Sequence, residues 1–204
     1  MKFFARMFAA IAILGGGFFL GVRYQERVDA HGQTARLVEV QKIRIARLQE
    51  DSLRLRTALM LRDYLEEVRV RLPREGYQAM VAAIADASLR YDVPPETILA
   101  VIRIESTFDA NAISEAGAVG LMQLLPSTAA ELARELSLEW TGESDLHDPA
   151  TNIALGTYYL TKLLGRFNDL TQALAAYNEG PARVAERARR STEYTEKVLA
   201  YANP

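Results

Sequence analysis

The sequence has no cysteine and only two histidines, His31 and His147, among its 204 residues. Without cysteine the chain can form no disulfide, no thiol nucleophile and no lipid-modified cysteine. The two histidines lie far apart and lack the glutamate–histidine spacing of a metal site, so both are expected at the surface. We therefore expect neither a metal nor a cofactor.

An excess of positive charge is also missing, because 24 lysines and arginines are balanced by 26 aspartates and glutamates. The formal net charge of −2 provides no basic surface for a polynucleotide, so we expect no nucleic-acid partner. Hydrophobic residues make up 50% of the chain, which suffices for one domain with its own core plus an extension.

No convincing β-strand pattern occurs, and apolar residues recur instead at the three- and four-residue steps of helices. Helix starts are predicted at Pro95, at Pro126 and, with Asp148 as the cap, at Pro149. The sequence thus predicts an all-α protein in three parts: an N-terminal membrane segment at 1–23, a long helical stalk at 24–73 and a helical domain at 74–204.

The N-terminal segment contains an uncharged run from Met7 to Val22, which Arg6 and Arg23 flank. As a helix, this run would rise roughly 24 Å, somewhat less than a hydrocarbon core of about 30 Å. It is either a secretory signal peptide or an uncleaved anchor, and the lack of a clear Ala-x-Ala site favours the anchor. The basic tip predicts a cytoplasmic terminus, with the remainder of the chain exported.

The stalk contains few helix breakers and is predicted to end at Leu72, before Pro73. Its apolar seam consists of Val38, Ile45, Leu48, Leu55 and Leu59, and it is interrupted by Gln41 and Ser52. Such a stalk can self-associate as a short coiled coil or lie against the helical domain. The polar interruptions argue for weak rather than strong self-association.

Glu105 completes the apolar stripe of the helix that Pro95 is expected to open. Ile98, Val101 and Ile102 precede it at steps that place these side chains on one face. Loss of water and the negative end of the helix would both raise the pKa of Glu105, as a general acid near neutral pH requires. From position alone, a side chain that bends into solvent is an equal alternative.

The segment after Glu105 is unsuited to extend the helix and leads into a loop of small residues. Gly117 and Gly120 would let the backbone approach a ligand closely. Gln123 carries a carboxamide that can donate and accept hydrogen bonds. A loop of this composition suits an extended polar substrate such as a sugar chain.

Three blocks of the sequence together resemble the soluble lytic transglycosylase family, which has a lysozyme-like fold. The blocks are Glu105-Ser106, Ser114-x-x-Gly117-Ala118-Val119-Gly120-Leu121-Met122-Gln123 and Ala176-Tyr177-Asn178-x-Gly180-Pro181. Their identity, spacing and order agree with the family over roughly residues 82–201.

The resemblance implies a lysozyme-like lytic transglycosylase domain that cleaves the bond between N-acetylmuramic acid and N-acetylglucosamine in peptidoglycan and forms a 1,6-anhydro ring. It gives the role of catalytic acid and base to Glu105. The substrate-binding residues that it implies are Ser114, Met122, Gln123, Tyr177, Asn178 and Tyr194. The expected location is the cell envelope, with the domain in the periplasm and either anchored to the inner membrane or released.

The sequence departs from the family pattern at Glu179, at Leu125 and in the segment Arg190-Ser-Thr-Glu-Tyr194, where a polar contact could be lost. Two other functions therefore stay open: a goose-type lysozyme-like hydrolase and a noncatalytic peptidoglycan-binding scaffold. Hydrolysis commonly needs a second carboxylate. The candidates are Asp109, Glu115 and Glu179, and none has the apolar helical setting of Glu105.

Overall fold

The computed structural model describes residues 2–185 and 192–202, and within these ranges it describes side chains from residue 34 onward. The regular elements of the described residues are all helices, apart from two isolated β-bridges that pair Val119 with Ile113 and with Leu124. The prediction of an all-α fold is confirmed.

The helices follow one another in a simple order along the chain. They are α1 (Lys2–Val68), α2 (Arg74–Tyr91), α3 (Pro95–Ser106), α4 (Pro126–Glu135), a 3-10 helix (Glu143–His147), α5 (Pro149–Phe167), α6 (Leu170–Glu179), α7 (Pro181–Ala185) and α8 (Glu193–Ala202).

The predicted helix starts are confirmed. Pro95 and Pro126 each occupy the first turn of their helix, where a missing amide hydrogen costs nothing. The Asp148 carboxylate accepts a hydrogen bond of 2.9 Å from the amide of Thr151 and so caps α5. The helix expected at about 182–190 begins at Pro181, and its residues 186–190 lie outside the described part of the chain.

The first helix ends at Val68, earlier than the predicted end at Leu72. Arg69 adopts a left-handed conformation with φ of 59°, which turns the chain out of the helix. The amides of Arg69 and Val70 then bond back to the carbonyls of Glu66 and Leu65 at 3.3 and 3.0 Å. This arrangement satisfies carbonyls at the helix end without the help of a proline.

The chain divides into two compact units, residues 1–51 and residues 52–204. In the first unit, large apolar side chains of α1 are exposed, namely Leu37, Val38, Val40, Ile43, Ile45 and Leu48. The predicted membrane segment at 1–23 lies outside the residues whose side chains are described. Among the residues that were described, no helix carries an apolar stretch long enough to cross a membrane.

The second unit is built around α3. Five consecutive residues of this helix, from Ile98 to Ile102, are completely buried. Helix α8 packs against α3, and α5 packs against both α2 and α6. Residues 52–68 of α1 belong to the same unit and contribute Leu61, Tyr64 and Leu65 to its core. Beyond this buried stretch, the last turn of α3, residues 103–106, is half-buried.

Candidate active site

Helix α3 presents Glu105 in its last turn. Thr107 and Phe108 both adopt left-handed backbone conformations, with φ of 51° and 64°, so the helix stops sharply after Ser106. The Phe108 side chain is buried and anchors this turn in the core. The helix end is therefore fixed by packing, and the predicted stripe of Ile98, Val101 and Ile102 does lead to Glu105 along a buried face.

The carboxyl group of Glu105 is turned away from open solvent, in a residue that is half-buried as a whole. Burial raises the pKa of Glu105 to about 7 from its ordinary value of 4.5. The Tyr194 hydroxyl donates a hydrogen bond of 2.6 Å to Oε1 of Glu105, and this bond acts in the opposite direction by favouring the ionised form. The pKa of about 7 means that both protonation states of this group are accessible near neutral pH.

A second tyrosine lies close to the same carboxyl group. Burial raises the pKa of the Tyr177 hydroxyl well above its ordinary value, and the negative charge of Glu105 raises it further. This hydroxyl donates a hydrogen bond of 2.8 Å to the carbonyl oxygen of Met122. Tyr177 thus joins α6 to the loop that follows α3, beside Glu105.

Met122 was predicted to shape the substrate groove, and the structure shows which part of the residue is in a position to do so. Its side chain is completely buried, and it packs where a Cβ on Gly156 would approach its sulfur to 2.6 Å. The hydroxyl of Thr157 lies 3.8 Å from the same sulfur. What Met122 presents toward Tyr177 is therefore its backbone carbonyl rather than its thioether.

The small-residue loop is held together by its own hydrogen bonds. The Gln123 side-chain amide donates to the carbonyls of Ala112 and Gly120 at 3.1 and 2.8 Å. The Ser114 hydroxyl accepts a bond of 3.0 Å from the amide of Ala118. Ser114 is exposed and its contact is within its own turn, whereas Gln123 is half-buried and ties the two ends of the loop together.

Asn178 and Tyr194 share a recess of about 350 Å³ between the end of α6 and the start of α8. Its lining residues are Ile104, Asn178, Thr192, Glu193, Tyr194 and Lys197. Asn178 is exposed at the end of α6, and no contact with Glu105 is described for it. The structure thus brings Glu105, Tyr194, Tyr177 and the Met122 carbonyl together, with Asn178 at the edge and Ser114 further along the loop.

Asn152 was missed by the sequence reasoning, although it organises the loop. Its completely buried carboxamide accepts from the amide of Met122 at 2.8 Å and donates to the carbonyls of Val119 and Leu146 at 3.0 and 2.9 Å. Gly120 lies against this group, because a Cβ there would come within 2.2 Å of the Asn152 nitrogen. The available signal was a carboxamide near the start of α5, a helix whose buried residues are mostly apolar.

Ser106 is the second residue that sequence reasoning left without a role. Its hydroxyl is within hydrogen-bond distance of two carbonyls, that of Ile102 at 3.1 Å and that of Leu121 at 2.9 Å. The second of these bonds links the end of α3 to the loop. Ser106 and Asn152 therefore fix the backbone on which Glu105 and Met122 are placed.

Among the residues whose side chains are described, 34–185 and 192–202, no group of three or more histidine, cysteine, aspartate and glutamate side chains is placed to hold a metal ion. His147 is half-buried rather than at the open surface, with Nδ1 at 3.1 Å from the carbonyl oxygen of Ala110.

An all-helical unit with a buried glutamate at the end of its central helix has the lysozyme-like form that the sequence resemblance implied. Residues 82–199 match the family model described as the Transglycosylase SLT domain, and the chain belongs to this family. The match contains every proposed site residue and begins inside α2, so residues 52–68 of α1 lie outside it.

Two relatives illustrate the likeness at the level of sequence. A putative soluble lytic murein transglycosylase of Haemophilus influenzae is 39% identical over 125 residues, which cover 61% of this chain and 20% of that protein. Membrane-bound lytic murein transglycosylase C of Haemophilus ducreyi is 34% identical over 141 residues, which cover 63% of this chain and 35% of that protein. The chain therefore spans only a fifth to a third of the length of these relatives.

Solved structures show the same likeness in three dimensions. An inactive mutant of the lytic transglycosylase Slt from Pseudomonas aeruginosa aligns with a TM-score of 0.54 and 32% identity, over 59% of this chain and 23% of that chain. The 70-kDa soluble lytic transglycosylase of Escherichia coli aligns with a TM-score of 0.50 and 25% identity, over 68% of this chain and 31% of that chain.

Proposed function

We propose that this chain is a peptidoglycan lytic transglycosylase that cleaves the β-1,4 bond between N-acetylmuramic acid and N-acetylglucosamine and leaves a 1,6-anhydromuramyl product. The observation that carries the proposal is Glu105, a buried carboxyl group with a pKa of about 7 in a domain of the transglycosylase family. The substrate class is supported by the names of the relatives, which describe murein transglycosylases.

The proposed reaction uses one side chain twice. Protonated Glu105 gives its proton to the glycosidic oxygen as the bond to C1 of the muramyl residue breaks. The resulting carboxylate then takes the proton of the C6 hydroxyl, whose oxygen attacks C1 and closes the anhydro ring, with help from the 2-acetamido group. Water is not consumed. A group with a pKa of about 7 suits both steps, because neither protonation state is strongly disfavoured near neutral pH.

The other carboxylates offer little support for a hydrolytic mechanism. Asp109 and Glu115 are exposed, and an Asp109 oxygen accepts a bond of 2.8 Å from the amide of Asn111 within its own turn. Glu179 is the last residue of α6. Asp109 and Glu115 therefore lack the buried helical setting of Glu105, which favours a nucleophile supplied by the substrate.

The remaining site residues receive roles that follow from their places. Tyr194 adjusts the acidity of Glu105, and Tyr177 positions the Met122 carbonyl beside it. Gln123 and Ser114 shape the loop along which the glycan strand would lie, and Asn178 would bind sugar at the edge of the recess. A solved structure of the 70-kDa soluble lytic transglycosylase contains bulgecin A, so a protein that carries a similar domain accepts a ligand.

The products of digestion test this proposal. Purified protein is incubated with sacculi, and the soluble fragments are identified by mass spectrometry. Anhydromuramyl ends support the proposal, whereas reducing-end muramic acid would establish the goose-type hydrolase. Binding to sacculi without any release, unchanged in Glu105→Gln, would establish the noncatalytic scaffold.

Glu105→Gln is expected to fold normally and to lose at least about 100-fold in turnover, because an amide of similar shape cannot transfer the proton. The matched control is Glu115→Gln, which removes an exposed carboxylate from the neighbouring loop and should keep wild-type turnover. Turnover of Glu105→Gln within about tenfold of wild type would rule out the assigned role.

The proposed location is the cell envelope, with the family domain in the periplasm. Residues 1–23 would act as an inner-membrane anchor or as a signal peptide, and residues 24–73 as a stalk before the domain at 74–204. One relative carries the words membrane-bound in its name. Membrane fractionation and intact mass of the mature protein test this arrangement, and a soluble protein of full-length mass would contradict both versions.

We also propose weak self-association through the stalk. Val38, Ile45 and Leu48 lie at heptad-like positions and are 48%, 53% and 59% exposed. Because the chain has no cysteine, Ile45→Cys places a single thiol on this seam and Ala46→Cys places one beside it. Disulfide formation that is equally slow in both variants would contradict the proposal.

A further inference from the structure

Arg103 lies two residues before Glu105 on α3, in a setting unusual for an arginine. Its side chain is only 9% exposed. The guanidinium carbon lies 3.7 Å from the ring centre of Tyr201 on α8 and 5.2 Å from that of Tyr64 on α1. Its two terminal nitrogens donate to the two carboxylate oxygens of Glu67 at 2.6 and 2.5 Å. Three helices thus meet at one side chain.

A fourth contact closes the cluster. The Tyr64 hydroxyl donates a hydrogen bond to the backbone carbonyl of Tyr201, so α1 is joined to α8 directly as well as through Arg103. We call Tyr64, Glu67, Arg103 and Tyr201 the arginine clamp. Its energy should come mainly from the stacked and buried guanidinium, because Glu67 is 60% exposed and a pair of this kind contributes little by itself.

The position of the clamp on α8 links it to the proposed acid. Tyr194 and Tyr201 are separated by seven residues, about two helical turns, so both point from the same face of α8 toward α3. On α3, the partner of Tyr194 is Glu105 and the partner of Tyr201 is Arg103. A shift of α8 away from α3 at Tyr201 would therefore carry the Tyr194 hydroxyl away from the Glu105 carboxyl group.

We propose that Arg103 is a positioning residue: through the arginine clamp it holds α8 against α3 and keeps the Tyr194 hydroxyl on Glu105. This inference rests on the proposed function, since it gives the clamp a part in setting the state of the catalytic acid. It also extends the functional unit beyond the family match, because Tyr64 and Glu67 lie on α1, before residue 82. The family domain then depends on a helix that the family model does not contain.

A test of this inference must separate the effect of the Arg103 charge on Glu105 from the effect of the clamp on the position of the Tyr194 hydroxyl. The titratable groups facing Glu105 are Tyr194 on α8 and Tyr177 on α6, and Arg103 itself carries a positive charge nearby on α3. Glu193 and Lys197 of α8, which line the recess beside Tyr194, pair with each other at 2.8 Å and are exposed. Removing the Arg103 charge would by itself disfavour the Glu105 carboxylate. Arg103→Lys avoids this problem because it keeps the charge and removes the planar fork and the stack.

The test compares Arg103→Lys, Tyr194→Phe and the double variant by carbon-13 NMR titration of the Glu105 carboxyl group. Tyr194→Phe should raise the pKa of Glu105 by about one unit, since a hydrogen bond to a charged group is lost. Arg103→Lys should shift it in the same direction by a smaller amount. In the double variant the shift should equal that of Tyr194→Phe alone, because the two changes remove one interaction. An unshifted pKa in Arg103→Lys, or shifts that add, would overturn the inference.

Matched controls exclude general loosening of the domain. Arg62→Lys makes the same change at a guanidinium that pairs with Asp63 on its own helix, and it should leave the pKa of Glu105 unchanged. If Arg103→Lys does not fold, Tyr64→Phe removes only the bond to Tyr201, with Tyr77→Phe, which loses a similar bond to Ala58, as its control. Tyr64→Phe should then raise the pKa of Glu105 and Tyr77→Phe should not, and the reverse result would overturn the inference.

The titration distinguishes this inference from the proposed function, because it reads the carboxyl group whether or not the protein turns over. Suppose that the pKa of Glu105 shifts in Arg103→Lys but the wild-type protein releases no anhydromuramyl product. The role of the arginine clamp would then be supported, and the lytic transglycosylase activity would be rejected. If the pKa of Glu105 does not shift in Arg103→Lys and the wild-type protein does release this product, only the role of the arginine clamp would be rejected.

Discussion

At the scale of single residues, Glu105 is governed by two opposed effects. Burial favours its neutral form, and the Tyr194 hydroxyl favours its charged form. If burial acted alone, the proton would be held too firmly to be given up to a substrate. If the hydrogen bond dominated, no proton would be available at neutral pH. The pKa of about 7 therefore reflects a balance that depends on the position of a hydroxyl on another helix.

The loop beside Glu105 depends on a single glycine. Gly120 has φ of +81°, and a Cβ there would lie 2.2 Å from the side-chain nitrogen of Asn152 and 2.3 Å from the carbonyl oxygen of Leu146. Gly120→Ala should destabilise the protein by about 3 kcal/mol, from left-handed backbone strain and from disruption of the buried Asn152 bonds. Chemical denaturation measures this change.

Gly117→Ala is the control for this prediction. Gly117 has nearly the same φ, +79°, but a Cβ there would meet nothing within 4 Å. It should cost only the strain of a left-handed residue, about 1 kcal/mol. Equal losses for the two variants would show that the contact with Asn152 contributes nothing, and that the loop is held by conformation alone.

The acid itself and the residues that other helices bring to the site differ in how far the sequence predicts them. Helical period placed Glu105 in line with Ile98 and Ile102, but from position alone a side chain in solvent was an equal alternative. Tyr194 and Tyr177 came only from the family resemblance, since nothing local says which helix a tyrosine will contact. Asn152 escaped because its partners, the backbone groups of Val119 and Met122, are defined only by the folded loop.

At the scale of helices, starts were predictable and the extent of α1 was not. Pro95, Pro126 and Asp148 act on the residues next to them, so local chemistry decides where α3, α4 and α5 begin. The apolar repeat of α1, by contrast, is the same in the part of the helix that packs into a core and in the part that is exposed. Leu61 and Leu65 are buried in the second unit, whereas Leu48 is exposed in the first.

Truncation tests this division of α1. A chain that begins at Ser52 should melt within a few degrees of the full chain, because it retains the whole second unit. A chain that begins at Arg69 loses Leu61, Tyr64 and Leu65, each worth roughly 1.5 to 3 kcal/mol when buried. This loss approaches the total stability of a small domain, so the shorter chain should unfold or aggregate. Circular dichroism melts measure both.

The two truncations control each other, since they remove parts of the same helix. Cooperative melting of the chain from Arg69 at the temperature of the chain from Ser52 would mean that residues 52–68 add nothing to the core. The arginine clamp would then lose its partner helix without consequence, which is a result that the packing of Tyr64 and Leu65 argues against.

At the scale of the whole molecule, an acid kept near neutral pKa affects stability as well as chemistry. Exposed carboxylates such as Glu135 and Glu193 have their pKa lowered by hydrogen bonds from Lys162 and Lys197, and they weaken the fold when they become protonated at low pH. Glu105 behaves in the opposite way. Its raised pKa means that the folded state binds the proton more tightly than the unfolded chain does.

Glu105→Gln should therefore abolish turnover and yet stabilise the fold, by an amount that depends on pH. The cost of ionising buried Glu105 is absent below its unfolded pKa of 4.5, grows as pH rises, and is complete above its folded pKa of about 7. Glu105→Gln removes this cost, so its free energy of unfolding should exceed that of wild type by about 3 kcal/mol at pH 8 and by less than about 1 kcal/mol at pH 5. Thermal melts at the two pH values measure the difference.

The control for this prediction is Glu115→Gln, which is at an exposed position and should show no such difference. If the free energy of unfolding of Glu105→Gln exceeded that of wild type equally at both pH values, the effect would come from packing. The buried ionisation on which the proposed acid depends would then be rejected.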